Sequence, residues 1–454
     1  MNQRAMALLA SMLVCTAAFA DPNGDLIGAV GKGDAPRVRA LLAKGASAEA
    51  RGEKEATALM LASEKGNVEI AKQLLAAGAD PNAARAGGIR AIHHAAAAGQ
   101  TDVVRLLMDA KADVTARTDQ GTTVLALAAA QRNPELVQML IDAGLSPAEA
   151  DKNGVTPFIL AARGGSVENM KLLRGPATDL NAKVASGSTA LDFAVTNRQW
   201  DAAKYLLASG ATLEASKIGK PGIFLALVQR REEALTTKPV DSELLKLAAD
   251  QGAAPDTVDK EGFTALLYAS QSGHIEAVQA LLAAGARTDL RDKDGNTALI
   301  LAPSRTALES ARWLVALSQA KSLAQSSVPP PKSDKSEATL RRLQVIRALL
   351  AAKADVNAKG KDGASALHRA AQMGDVEVVS ELLAAGADAN SLTDYGSTAL
   401  ITAATWGYDE VVVALLAAKA DTTVKNRNGE TALGAAQSGK HQKVIALLKE
   451  AGAP

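Results

Sequence analysis

Cysteine, aromatic residues and net charge are what this 454-residue chain has least of. A single cysteine, Cys15, excludes any disulfide within the chain and any site built from several thiolates. Aromatic residues make up 3% of the sequence although 48% of it is hydrophobic, so alanine and leucine must supply most of the buried surface. Lys and Arg number 50 against 49 Asp and Glu, and this balance gives no overall attraction for nucleic acid or an anionic membrane.

The first twenty residues are expected to be a secretory signal peptide that is not part of the fold. Residues 1–4 are a short basic start, and residues 5–17 form an uncharged apolar stretch. Ala18-Phe19-Ala20 then has the small-x-small pattern of a cleavage site. Because the apolar stretch is too short to cross a bilayer, we expect a periplasmic or secreted protein without membrane insertion after cleavage.

A lipoprotein signal is the alternative interpretation of the same segment. Cys15 would then be the lipidated residue. The preceding residue is Val14, where lipoprotein signals carry a small residue, so cleavage after Ala20 is the favoured prediction.

A fixed period runs through most of the chain. The triplet Thr57-Ala58-Leu59 is followed, at equal steps, by related triplets that begin at positions 90, 123, 156, 189 and 222. After one shift the pattern resumes at positions 264 and 297, and after a second shift at 365, 398 and 431. A strict period of this length predicts a solenoid, in which each repeat packs only on its neighbours.

One period, residues 393–425, predicts two helices. Asp394 and Gly396 indicate a turn, and the hydroxyl of Thr398 can cap a short first helix. Gly407 is placed to end that helix in the left-handed conformation. A second helix follows, and its predicted buried stripe consists of Val411, Val412, Leu415 and Leu416.

This unit resembles the ankyrin repeat. Close matches to its pattern are the turn and helix start from Asp151 to Phe158, the helix from Ala366 to Ala371, and the segment from Leu281 to Ala286. The resemblance covers nearly the whole chain after residue 20. It implies an all-α solenoid of about twelve helix-turn-helix repeats with hairpin-like loops.

Two breaks in the period predict the domain organisation. Residues 216–258 are a degenerate repeat, in which an insertion makes the step to the next triplet longer than the others. Residues 303–340 are a helical excursion followed by a Pro-, Ser- and Lys-rich linker, which is predicted to be disordered. They separate a first array at 21–302 from a second array at 341–454, whose terminal cap is 427–454. The insertions are either tolerated loops or docking segments.

No catalytic, cofactor-binding or metal-binding residue is predicted. The chain lacks the short motifs of hydrolases, nucleotide-binding loops and zinc proteases. The acidic turn that begins at Asp292 lacks the spacing of a calcium loop. His93 and His368 lie where, by the resemblance, ankyrin repeats carry a structural histidine that bonds to neighbouring loops.

The resemblance also implies a surface for partners, because ankyrin repeats usually bind through their turn tips and the exposed ends of their first helices, which line a concave face. Exposed aromatic and methionine side chains are favoured anchors in interfaces. The candidates at such positions are Phe263, Met373, Tyr395, Trp406 and Tyr408. Partial burial of these side chains between neighbouring repeats is the alternative.

We therefore expect an exported, monomeric protein of the bacterial cell envelope that binds another protein and performs no chemistry. A scaffold, an inhibitor and a protective partner of an envelope enzyme are not distinguished by the sequence. A secreted effector that binds a host protein is an alternative. A third is an enzyme or metal protein whose site is assembled across repeats.

The first prediction concerns the signal. Cleavage should follow Ala20, because Ala18 and Ala20 fit the small pockets of the peptidase and Asp21-Pro22 does not continue the apolar helix. Mass spectrometry of the exported protein should find Asp21 at the N-terminus. An intact N-terminus, or a lipid on Cys15, would contradict it.

Overall fold

The computed structural model describes residues 21–228, 241–303 and 337–454. The predicted signal at 1–20, most of the insertion in the degenerate repeat and most of the predicted segment 303–340 lie outside the described residues. The chain forms two compact units, Met1–Lys217 and Ile218–Pro454, which we describe separately. The predicted division into arrays at 21–302 and 341–454 stays a prediction.

The first unit consists of six helix pairs within its described residues. Each pair has a first helix and a second helix, numbered in chain order: α1 Pro22–Lys32, α2 Ala35–Ala43, α3 Ala58–Glu64, α4 Val68–Ala76, α5 Ala91–Ala97, α6 Thr101–Asp109, α7 Val124–Ala129, α8 Pro134–Asp142, α9 Pro157–Gly164, α10 Val167–Leu173, α11 Ala190–Thr196 and α12 Trp200–Ala208. A short 3-10 helix, Glu53–Glu55, precedes α3.

Six further pairs follow in the described residues of the second unit. They are α13 Gly219–Val228, α14 Ser242–Asp250, α15 Ala265–Gln271, α16 Ile275–Ala283, α17 Ala298–Leu301, α18 Glu337–Ala351, α19 Ala366–Met373, α20 Val376–Ala384, α21 Ala399–Trp406, α22 Asp409–Ala417, α23 Ala432–Ser438 and α24 Gln442–Glu450. Twelve pairs of helices in the described residues confirm the predicted all-α repeat solenoid.

Most first helices begin after a threonine in the same register of the repeat. Its side-chain oxygen accepts a hydrogen bond from the backbone N–H three residues later, as in the 3.2 Å bond from Ile401 N to Thr398 Oγ1. This satisfies one of the backbone donors that a helix start leaves free, and such a cap contributes about 1 kcal/mol. The capping threonines are Thr57, Thr123, Thr156, Thr189, Thr264, Thr297, Thr398 and Thr431.

The close packing of first helices depends on small residues. In α21, Ala399, Ala403 and Ala404 are at most 1% exposed, and the helix packs against α19 and α23. Gly164 at the end of α9 is the extreme case, because a Cβ there would overlap the carbonyl group of Ala130. Thin, alanine-rich helices therefore approach each other closely enough to bury their surfaces without aromatic side chains.

A ladder of backbone hydrogen bonds joins the loops that precede successive first helices. We call these segments the tip loops, residues 359–364, 392–397 and 425–430 in the last three repeats. Asp394 N donates to Asp362 O and Arg427 N donates to Tyr395 O, both at 2.9 Å. The same bond joins Asp119 to Gly87 and Lys152 to Gln120 in the first unit. In one tip loop Ala84–Arg85 (β1) and Ile89–Arg90 (β2) pair as a short antiparallel hairpin.

Three arginines replace the glycine that closes the first helix in other repeats, and the structure describes two of them. Arg198 takes the left-handed conformation at φ 56°, which costs roughly 1 kcal/mol for a residue with a side chain. Arg132 does not take a positive φ, and its side chain instead bridges repeats. Its Nε donates to Gly164 O at 3.2 Å and its Nη2 to Gln199 Oε1 at 2.7 Å. Arg231 lies outside the described residues.

The repeat that spans the longer insertion keeps its place in the stack of the second unit. Its first helix α17 packs on α15 and α19, and its second helix α18 packs on α16 and α20. Arg342 of α18 forms an ion pair with Asp375 at 3.7 Å, and the two side chains are only 5% and 2% exposed. Because removing one partner of a buried pair leaves an uncompensated charge, this contact fixes α18 against the following repeat.

No helix within the described ranges 21–228, 241–303 and 337–454 has both the length and the apolar character of a membrane span.

The second helix α22 gives a test of the core. Val411, Val412 and Leu415 are at most 1% exposed, whereas Leu416, which is predicted to share their stripe, is only half-buried. Leu415→Ala should lower the free energy of unfolding by about 2–5 kcal/mol, the usual cost of an unfilled leucine site. Leu416→Ala, the matched control, should cost clearly less. Urea unfolding followed by circular dichroism measures both, and equal costs would contradict this packing.

Candidate functional site

Tyr395 is the most exposed of the predicted anchors. It lies in the middle of the tip loop 392–397, which precedes α21, and 71% of its surface is accessible. Its backbone is fixed, because its carbonyl accepts the ladder bond from Arg427. The ring is therefore presented by an ordered backbone without being used for packing.

Met373 and Trp406 occupy the same position in two successive repeats. Each is the last residue of a first helix, α19 or α21, and each precedes a glycine in the left-handed conformation, Gly374 or Gly407. Both side chains are half-buried. They can offer part of their surface to a partner.

Tyr408 requires a correction, because the structure buries it. The side chain is 2% exposed and its ring lies over Gly374 of the preceding repeat, where a Cβ would come within 2.8 Å of the ring. A residue directly after the helix-closing glycine points back onto the glycine of the neighbouring repeat. Tyr408 is therefore part of the packing between repeats and is removed from the set of exposed anchors.

Phe263 lies apart from the other candidates. It is half-buried in the repeat that begins with α15, and its ring packs on Tyr268 at a centroid distance of 4.8 Å. The hydroxyl of Tyr268 donates to Asp259 Oδ2 at 2.6 Å in the same tip loop. This ring pair stabilises its own loop and does not adjoin Tyr395.

A cavity of about 380 Å³ lies beside Tyr395. Its walls are the three tip loops of the last repeats, and its floor is formed by the exposed sides of α19 and α21. The side chains that matter most for its chemistry are Asp362, Arg369, Gln372, Tyr395, Thr402 and Arg427. Among the predicted anchors, only Tyr395 lines it.

The period of the sequence explains why these residues meet. Asp362, Tyr395 and Asn428 occupy one position in three successive repeats, and Arg369 and Thr402 occupy another. Stacking brings equivalent positions side by side, so a signal for this cluster is present in the sequence. The sequence prediction considers aromatic and methionine anchors alone, and it therefore misses the polar residues.

Hydrogen bonds inside the cavity leave one cation without a described partner. Arg369 Nη2 donates to Asp362 Oδ2 at 2.7 Å, and Asp362 Oδ1 accepts from Ala364 N at 3.0 Å. Thr402 Oγ1 donates to Thr398 O in its own helix. The exposed guanidinium of Arg427 has no partner among the described residues.

The buried imidazole of His368 fixes the floor to the loop that holds Tyr395. Its Nδ1 accepts from Ser365 N at 3.2 Å, so Nε2 carries the proton and donates to Ser391 O at 2.9 Å and to Ser397 O at 3.2 Å. His93 makes the corresponding bonds to Arg90 N and Ala116 O. These bonds show the role that the resemblance implied, which is to join a first helix to the loop of the next repeat.

Burial lowers the pKa of both histidines below that of a free imidazole, because the charged form loses its hydration. The carbonyl acceptors oppose this shift without outweighing it. Both rings are therefore held in the neutral form that their hydrogen bonds require.

In the part of the chain that the structure describes, no three His, Cys, Asp or Glu side chains are grouped as a metal ion would require. Among the residues that line the cavity, Arg369 and Asp362 form an ion pair at 2.7 Å.

Comparison with known families gives a match over most of the sequence. The profile of the family described as Ankyrin repeats (3 copies) matches residues 26–118, 71–151, 92–184, 125–217, 236–324 and 337–426. A comparison with curated proteins finds no match.

The histidines predict a pH effect on stability. The unfolded imidazole titrates near pH 6.5, and burial lowers the pKa of folded His368 below that value. The contribution of neutral His368 to the free energy of unfolding is therefore fully present above about pH 6.5. It falls as the pH drops toward the folded pKa, because in that range only the unfolded chain takes up the proton.

Urea unfolding at pH 7.5 and pH 5.5 tests this effect. His368→Gln should lose stability at pH 7.5, by roughly 1–3 kcal/mol for the unsatisfied loop carbonyls. The change from pH 7.5 to pH 5.5 should also lower the free energy of unfolding of this variant by less than that of the unmodified chain. An equal loss on acidification in both proteins would contradict the assignment.

Proposed function

The chain belongs to the ankyrin-repeat family, and from this we propose that it is a non-enzymatic scaffold or modulator, exported to the bacterial cell envelope, that binds a partner protein. Ankyrin repeats are typically interaction modules. Stacked repeats expose a long row of equivalent positions, which suits them to holding an extended partner surface.

We place the binding surface on the last three tip loops and on the exposed sides and ends of α19 and α21. The observation that supports this choice is Tyr395, a tyrosine that is 71% exposed on a backbone held by ladder bonds. An ordered aromatic residue binds at little entropic cost and is among the commonest energetic anchors of interfaces. Met373 and Trp406 extend the same surface along the first helices.

Export is supported by residues 1–20, with their basic start, apolar stretch and small-x-small end. Cleavage after Ala20 would release a chain without cysteine. Such a chain folds without disulfide formation, which suits an oxidising compartment in which a free thiol would be a liability.

The proposed surface can be tested before the partner is known. A photo-reactive phenylalanine analogue at position 395, expressed in the native host, should form a crosslink to a discrete envelope protein. The same analogue at Leu392 is the matched control, because Leu392 is 44% exposed on the same loop but does not line the cavity. Crosslinks from position 392 alone would place the partner on another face.

With that partner purified, Tyr395→Ala should weaken binding by about 2 kcal/mol or more, and Trp406→Ala should weaken it as well. Tyr395→Ala should shift the stability of the free protein by no more than about 0.5 kcal/mol, since the ring is exposed. Calorimetric titration and urea unfolding measure the two quantities. Full binding by the variant that combines Tyr395→Ala and Trp406→Ala would overturn the proposed surface.

A further inference from the structure

We infer that the cavity beside Tyr395 takes a carboxylate side chain from an extended, acidic segment of the partner protein. The inference rests on the proposed function and names the chemistry of the segment bound at that surface. It depends on the charges of the lining residues, on their hydrogen bonds and on the arrangement of the three tip loops.

The charged side chains of the lining favour an anion. They are Asp362, Arg369 and Arg427, and His368 beneath them is held neutral by its hydrogen bonds. The carboxylate of Asp362 is occupied by Arg369 at 2.7 Å and by the Ala364 amide. The charge that remains for a ligand is that of the exposed Arg427.

Two neighbouring carboxylates do not cancel this charge. Glu430 accepts a 3.1 Å hydrogen bond from Nδ2 of Asn426 and does not itself line the cavity. Asp394 lies on the tip loop next to Tyr395 and is also outside the lining. Each would instead repel an acidic segment that approached away from Arg427, so these residues would help to fix its position.

The tip loops provide a track for an extended chain. Each tip loop folds back on itself, as the 3.0 Å bond from Thr393 N to Ser397 O shows, and Asp394 N and Arg427 N donate to the preceding loops at 2.9 Å. With two strand-like segments per loop at a spacing of about 4.8 Å, successive loops lie roughly 10 Å apart and the three loops span roughly 20 Å. About six residues of an extended segment cover that length at roughly 3.3 Å each. One of them can enter the cavity while another packs on the ring of Tyr395.

The chemistry favours a carboxylate over a phosphate group. A single available guanidinium matches one carboxylate through two parallel hydrogen bonds, whereas phosphate sites commonly gather several cations or a row of backbone amides. The Gln372 amide can add a further donor from the floor. The site is also preorganised, because His368 and the backbone ladder hold the walls before a ligand arrives.

A displayed library of random dodecapeptides, selected on the purified full chain, tests the inference. Peptides that are eluted specifically should be enriched in Asp or Glu one or two residues from an apolar or aromatic side chain. A synthetic peptide of the enriched sequence, together with its Glu→Gln or Asp→Asn version, is then titrated into the protein. The amide version should bind the unmodified chain about tenfold more weakly.

Variants of Arg427 test whether this residue recognises the negative charge of the peptide. In Arg427→Ala the two peptides should differ by less than about twofold, and a peptide with Lys at the acidic position should bind Arg427→Glu better than it binds the unmodified chain. Arg163→Ala is the matched control, because Arg163 is an exposed arginine on the first helix α9 with no partner among the described residues. It should leave the tenfold difference intact.

The outcomes separate this inference from the proposed function. Peptides whose binding depends on Tyr395 but not on Arg427, or whose sequences are not enriched in Asp or Glu, would overturn the inference of an acidic segment. The proposed binding surface would still be supported. Peptides whose binding is unchanged by substitution of either residue, or the absence of any selected peptide, would overturn the inference. The crosslinking at position 395 would then still test whether the partner binds at this surface. Full displacement of the peptide by low millimolar inorganic phosphate would show a simple anion site and would also overturn it.

Discussion

A single two-helix repeat is too thin to bury its own apolar surface, and the rest of this structure depends on that constraint. Within each unit, the inner first helices are covered on both sides by the first helices of their neighbours, and this requires alanine and glycine where the helices approach most closely. Gly164, which has no room for a Cβ against Ala130, shows how little space remains. Stability is therefore local, because each repeat depends on its nearest neighbours.

The same constraint shapes the candidate site. Close stacking brings the tip loops within hydrogen-bonding distance, so the ladder forms and equivalent positions of successive repeats become neighbours. His368 of α19 joins the core to this ladder, because its ring is buried and its Nε2 donates to carbonyls of the loop that presents Tyr395. The surface that would meet a partner is thus ordered by the same contacts that stabilise the fold, and little of it needs to be ordered on binding.

Departures from the repeat pattern are accommodated in different ways. Arg198 accepts a left-handed backbone, whereas Arg132 avoids it and bridges two neighbouring repeats with its side chain. The helix α18 begins earlier than the other second helices and is fixed by the buried pair of Arg342 and Asp375. For Arg132 and for α18, a contact with a neighbouring repeat compensates the lost local preference, as expected where packing between repeats dominates.

The sequence by itself determined the fold class, the phase of the repeats, the helix caps and the position of the structural histidines, because these follow from a period, from local backbone preferences and from a pattern read within one repeat. It also singled out Tyr395. It could not decide that Tyr408 is buried over Gly374, that Leu416 is only half-buried, or that Arg427 stands beside a cavity with no partner among the described residues. Those facts depend on the neighbouring repeat, since the exposure and pairing of a side chain are set by residues a whole repeat away in the chain, and only the tertiary structure shows which of them meet.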